Sequence, residues 1–170
     1  KAYAKSPKSA AKPAAIVAVI DDGLPFAHRD FRGADGGTRV EFCWLQSAMT
    51  PKGQTPTVLY GREYLKGEID RLIHAYGHDE DQLYRTAGAG DQGPLRGSTI
   101  RHLGSHGSNV MDLAGGSRIA GALDPVALIG VQLPAPTTLD TAGFGKESYV
   151  LAAMHYIFER ADRLAEKYLG

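Results

Sequence analysis

Two carboxylates, Asp21 and Asp22, stand at the end of an unbroken apolar run, Ala14 to Ile20. A short β-branched run of this kind is the pattern of a strand buried on both faces, as in a parallel sheet covered by helices. Burying a charge is costly unless it is paired or hydrogen-bonded. In open α/β sheets, active sites gather at the carboxyl ends of strands. Asp21 is therefore a candidate for orienting a proton-transfer group. On these residues alone, a polar turn closing the strand is the simpler account of "DDG".

The second candidate lies far downstream, in "HGSNVMDLAGG", 106 to 116. A histidine flanked by small residues at the start of a helix can present its imidazole in a cleft, and Gly107 permits the close approach of another backbone. Taken alone, His106 reads as a structural histidine. Taken with Asp21, it gives an Asp and a His at the edges of two α/β elements. Those are two of the three parts of a nucleophilic triad. Asp22 is the rival partner, one residue out of register.

Two other patterns are weaker. "GAGDQG", 88 to 93, matches Gly-x-Gly-x-x-Gly, but a dinucleotide loop must follow a strand and open a helix, and Pro94 comes directly after it. A flexible loop is the plainer reading. His74 and His78 are four apart, the spacing of a helical metal pair. Gly77 interrupts them, and Asp79, Glu80 and Asp81 read as a solvated helix end.

The elements that must position Asp21 and His106 can be read from periodicity. Residues 1–13, with four Lys and two Pro, form a flexible lead-in. Residues 14–20 are the first strand. In 38–46, Val40, Phe42 and Trp44 alternate with Arg39, Glu41 and Cys43, which predicts a half-buried strand. Residues 62–76 carry apolar side chains at helical spacing, and 77–99 read as loop with one helical turn. Residues 126–133 (VALIGVQL) form a second buried strand, and 134–145 a loop. The clearest amphipathic helix is 146–169, with Val150, Ala153, Met154, Ile157, Phe158, Ala161, Leu164 and Tyr168 on one stripe. Strands alternating with helices predict an α/β fold, a mostly parallel sheet flanked by helices. Residues 33–104 are expected to form an elaboration outside the central sheet, between the Asp and His motifs.

Composition narrows the function classes. Lys+Arg and Asp+Glu both number 19, so the net charge is zero. Nucleic-acid and anionic-membrane binding both draw on a basic excess, and neither is expected. No apolar run approaches the roughly 18 residues of a membrane span. Cys43 is the single cysteine, so no intramolecular disulfide forms and cysteine usage does not indicate a compartment. No cofactor is implied, and nothing in the sequence supports a structural calcium site.

These motifs together resemble the subtilisin-like serine peptidases. "VAVIDDG" is similar to that family's Val-Ile-Asp-Thr-Gly, which places Asp21 at the catalytic position and Asp22 where Thr or Ser is usual. "HRDF", 28 to 31, is similar to the His-Pro-Asp-Leu segment that often follows. "HGSNVMD" is similar to the His-Gly-Thr-His-Val-Ala-Gly segment, which places the catalytic histidine at His106. "DPVALIGVQL" resembles the Ala-Pro and buried strand that come next, and "AGFGKESYVLAAMHYI" the Gly-rich segment leading into a long helix. The order Asp then His also agrees with subtilisin.

The resemblance implies a subtilisin-like fold, incomplete in this chain, with 14–170 as the N-terminal part of a catalytic domain. It implies that Asp21 accepts a hydrogen bond from Nδ1 of His106, and that His106 acts as general base toward a Ser hydroxyl. It also implies that Gly143, Phe144 and Gly145 lie on an edge strand that pairs with peptide substrate. The family's Gly-Thr-Ser-Met-Ala nucleophile has no counterpart among these 170 residues. The Ser is expected on a complementary C-terminal segment or chain. Asn109 stands in place of the family's second His, and Met111-Asp112 in place of Ala-Gly. These departures fit a competing reading, a non-catalytic interaction module on the same scaffold.

Overall fold

The computed structural model describes residues 12–89, 106–116, 126–134 and 145–169. Four strands, β1 (Ala15–Asp21), β2 (Val40–Leu45), β3 (Arg62–Leu65) and β4 (Val126–Gln132), form one open sheet in the order β1-β4-β2-β3. β4 runs parallel to both β1 and β2, while β3 joins β2 antiparallel. The helices are α1 (Lys66–Tyr76), α2 (Glu80–Ala87), α3 (His106–Gly115) and α4 (Lys146–Leu169). The chain is thus α/β, with a mixed open sheet flanked by helices.

The side-chain period of two sorts the strands onto two faces. On one face, Val17, Val19 and Leu128 meet Met111 of α3, Ile69 of α1, and Leu83 and Tyr84 of α2. On the other, Ala127, Ile129 and Val131 meet Ala153, Tyr156 and Leu164 of α4. Asp21 shares parity with Val17 and Val19. Its carboxylate therefore belongs to the face that carries α3.

β2 departs from the expected half-buried alternation. It lies inside the sheet and is buried on both faces, with Val40, Cys43 and Leu45 in the α1–α3 core and Phe42 and Trp44 toward α4. An irregularity between Val40 and Phe42 shifts the register against β4, so Val40 does not share a face with Phe42 and Trp44. A bulge of this kind adds one residue to one strand and inverts the alternation beyond it.

The region 33–104 also differs from expectation. It supplies β2 and β3 to the sheet rather than standing outside it. The stretch read as one helix, 62–76, divides at Leu65: residues 62–65 pair with β2, and the helix starts at Lys66. Glu68 Oε2 accepts from Leu65 N at 3.0 Å, satisfying one of the free amides at the helix start. The single helical turn expected within 77–99 is two turns, α2, capped by Asp79 accepting from Gln82 N.

A buried ion pair fastens β3 to α4. Glu63 and Arg160 both keep 2% side-chain exposure and pair at 2.5 Å, and Tyr156 donates to the same carboxylate at 2.9 Å. β1 is the opposite edge of the sheet among the described residues. Its α4-side residues Ile16 and Ala18 are exposed, and so are Leu151, Met154 and Phe158 of α4.

Candidate functional site

The carboxylate of Asp21 straddles Nδ1 of His106, at 2.8 Å from Oδ2 and 3.0 Å from Oδ1. An ionised carboxylate only accepts, so Nδ1 carries the proton and donates. Nε2, on the far side of the ring, is directed away from Asp21. The side chains differ in exposure, 13% for Asp21 and 78% for His106. The carboxylate is held by the fold, and the imidazole is offered to whatever approaches.

Asp21 is fixed from three directions. Its backbone carbonyl accepts from Leu133 N at 2.9 Å, continuing the β1–β4 ladder. Its Oδ1 accepts from the amide of Asp22 at 2.8 Å. Two residues on, the amide of Leu24 donates to the buried side chain of Gln132 at 3.1 Å. Gln132 is also the residue opposite Asp21 in the parallel register. The register matches the first candidate, Asp21, rather than Asp22, to the imidazole.

The helix that carries His106 is held at both ends. At its start, Gly107 lies against the carbonyl oxygen of Asp22, and a Cβ at position 107 would overlap that oxygen. No larger residue fits without moving the helix away from the strand end. At its last turn, Arg39 Nη2 donates to the carbonyl of Gly115 at 2.6 Å and to that of Asp30 at 2.9 Å. A guanidinium at a helix C-terminus satisfies a free carbonyl and complements the negative end of the helix dipole.

The electrostatics follow from this contact. The hydrogen bond to Asp21 and its negative charge, with a smaller contribution from Asp22, hold the His106 imidazolium above its ordinary range. In the resting chain His106 therefore keeps its proton to a higher pH than a free histidine would.

The remaining sequence candidates fall in different places. Gly143 and Phe144 lie outside the described residues, and Gly145 is exposed immediately before α4. Of "GAGDQG", positions 90–93 lie outside the described residues. Gly88 ends α2 in the left-handed conformation, φ 75°, so the motif begins as a helix stop rather than after a strand. His74 sits in the last turn of α1 and His78 beyond its end. Among the described residues, no three His, Cys, Asp or Glu gather where they could hold a metal ion. His28 stays close to its own neighbours: its Nδ1 accepts from Asp30 N at 3.4 Å, and its ring lies edge-on to Phe31.

An open cleft of about 500 Å³ lies at the same end of the sheet as Asp21, beside the start of α4. Gln46, Ser47, Tyr60, Pro134, Ser148 and Tyr149 line it. Gln46 Nε2 donates to the carbonyl of Tyr149 at 3.1 Å and ties the end of β2 to α4.

Gln132 and Arg39 take part in holding this site, and neither stands out in the sequence as a functional residue. The one signal for Gln132 is that it is the sole polar side chain in "VALIGVQL". No protein-family model matches the chain, and no curated protein matches it.

Proposed function

We propose that this chain supplies the Asp and His of an Asp-His-Ser peptidase of the subtilisin-like type, acting on peptide or protein substrates. The observation that carries the reading is the two-oxygen contact of Asp21 with Nδ1 of His106. Asp21 fixes the tautomer and the ring orientation and stabilises the imidazolium once it forms. His106 Nε2 takes the proton of a Ser hydroxyl as that oxygen attacks the scissile carbonyl, then returns it to the leaving amine.

The Ser and the oxyanion-binding group belong, on this reading, to a complementary segment or chain. Two features support such a partner. Among the described residues β1 is a sheet edge with no further strand beside it, carrying exposed Ile16, and α4 exposes Leu151 (69%) and Phe158 (66%) one face away from its buried stripe. Apolar side chains this exposed on an edge strand and its neighbouring helix are what a continuing sheet would cover.

The test is labelling by a serine-directed fluorophosphonate probe, with cleavage of a generic protein substrate. The protein carrying the complementary segment is compared with its Asp21→Asn and His106→Ala forms. Labelling and cleavage that both variants abolish support the reading. A protein that folds with its complementary segment, yet neither labels nor cleaves, overturns it in favour of the interaction module.

A further inference from the structure

We infer that Gln132 is a positioning residue for the Asp21–His106 pair, its buried amide strapping the turn that follows Asp21 to the end of α2. The inference rests on the reading of that pair as the working site.

The geometry is specific. Gln132 is the last residue of β4, 8% exposed, and pairs with Asp21 across the parallel ladder. Paired residues on adjacent strands project to the same face, so its side chain runs beneath the turn that follows Asp21. There Oε1 accepts from Leu24 N at 3.1 Å. Nε2 donates to the carbonyl of Ala89 at 3.2 Å, two residues past the end of α2. One side chain thus satisfies a donor on one segment and an acceptor on another, 65 positions apart, and both bonds are buried.

Only an amide does this. A carboxylate has no donor for Ala89, and an apolar side chain leaves a buried N–H and a buried C=O both without a partner. Leucine or valine would suit this strand by its apolar pattern, as Val131 and Leu133 do on either side. The turn held by Gln132 is also the one whose Asp22 carbonyl abuts Gly107. Releasing Leu24 therefore frees both the direction of the Asp21 carboxylate and the seat of α3. Asp21 and His106 would separate without either being changed.

The test reads the pair itself and needs no peptidase activity, so it stands or falls apart from the proposed function. The His106 titration is followed by NMR in the 170-residue chain and in three variants. Asp21→Asn gives the midpoint for complete loss of pairing. Gln132→Met keeps the side-chain length and deletes both bonds; its midpoint is expected to fall at least half as far as that of Asp21→Asn, with Leu24 N–H exchanging faster. A wild-type midpoint in a folded Gln132→Met chain overturns the inference. If Gln132→Met does not fold, Gln132→Asn decides. It keeps donor, acceptor and net charge on a side chain one carbon shorter, which cannot span from Leu24 N to the Ala89 carbonyl, so its midpoint must fall below wild type. A wild-type midpoint in a folded Gln132→Asn chain also overturns the inference.

Discussion

Replacing Gly107 by Ala sets two effects against each other, and the structure says which wins. Gly107 is the second residue of α3, and Gly67 is the second residue of α1. In a helix Ala is favoured over Gly by about 1 kcal/mol, so both substitutions gain a similar propensity contribution. At Gly67 nothing lies within 4 Å of the new Cβ, and Gly67→Ala should stabilise the chain by about 0.5–1 kcal/mol. At Gly107 the new Cβ falls on the Asp22 carbonyl oxygen, with Leu24 Cδ2 beside it. That oxygen cannot retreat. It belongs to a turn held by the β1–β4 ladder on one side and by the bond from Leu24 N to Gln132 on the other. Forcing an atom into a packed site costs about 1–3 kcal/mol, and a backbone obstacle places the cost at the upper end. Gly107→Ala should therefore lose about 2 kcal/mol net, a fall in Tm of roughly 4–8 °C at this chain length. The relief available is movement of α3, which carries His106 away from Asp21. The assay is thermal unfolding of both variants alongside the His106 titration. Gly107→Ala should melt lower, with a His106 midpoint closer to the ordinary value, while Gly67→Ala should melt slightly higher with His106 unmoved. A Gly107→Ala chain as stable as Gly67→Ala, or one whose His106 midpoint is that of wild type, would refute the reasoning.

Two further expectations concern pH. The raised His106 value adds stability that is fully present below about pH 6.5, the ordinary unfolded histidine value, and is lost as pH rises through the higher folded value. A general base must be neutral, so activity of the complemented protein should rise with pH through a midpoint above about 6.5, and a rate profile already flat at that pH would contradict the Asp21 pairing. At Glu63, burial alone would push the carboxyl up, but hydrogen bonds from Arg160, Thr57 and Tyr156 and the Arg160 charge outweigh it and hold it below the ordinary range. Its contribution is present above the unfolded carboxylate range and is lost as pH falls through the depressed value. Glu63→Gln leaves Arg160 buried with only the half-exposed Glu159 as counter-charge, and should cost toward the lower end of the roughly 3–5 kcal/mol of a broken buried pair; chemical denaturation that detects no loss would show that the pair is not closed in solution.

The fold was legible wherever one residue pattern had one structural meaning. "AIVAVID" and "VALIGVQ" are β-branched and apolar over six residues before a polar last one, too short for a core helix, and both are strands beside one another. The stripe in 146–169 has a helical period over six turns and its helix has the expected bounds, but the buried line runs through Ala153, Tyr156, Arg160 and Leu164, and Met154 and Phe158 of the expected stripe are exposed. The pattern misled where local and tertiary signals disagreed. "REYLKGEIDRLIHAY" keeps helical spacing into its first four residues, but Tyr64 is wanted in the core beneath α2, where its hydroxyl donates to the Ala87 carbonyl at 2.9 Å. Pairing with β2 wins over propensity there. The bulge at Glu41 is equally silent in sequence, because alternation in 38–46 reads the same with or without it. Its consequence is that a polar-looking face became core: Cys43 is fully buried, against the sheet partner Gly130.

The candidate site divides along a different line. Asp21 and His106 could be named only as a pair: alone, the carboxylate reads as a turn and the histidine as structural, and it is an Asp and a His at the edges of two α/β elements that singles them out. Gly107 could be named because a glycine at a helix start implies something too close for a Cβ. The parts that aim these residues left almost no trace. Arg39 reads as the solvent side of an alternating strand, yet it holds the far end of α3 through the Gly115 carbonyl. Gln132 reads as a lapse in an apolar run. Both act on backbone groups, Gly115 O, Leu24 N and Ala89 O, and a backbone group has no letter of its own in the sequence. A side chain that meets another side chain leaves a pair of residue types to notice, as Asp21 and His106 do. A side chain that meets backbone leaves only one, and its purpose shows when the chain is folded around it.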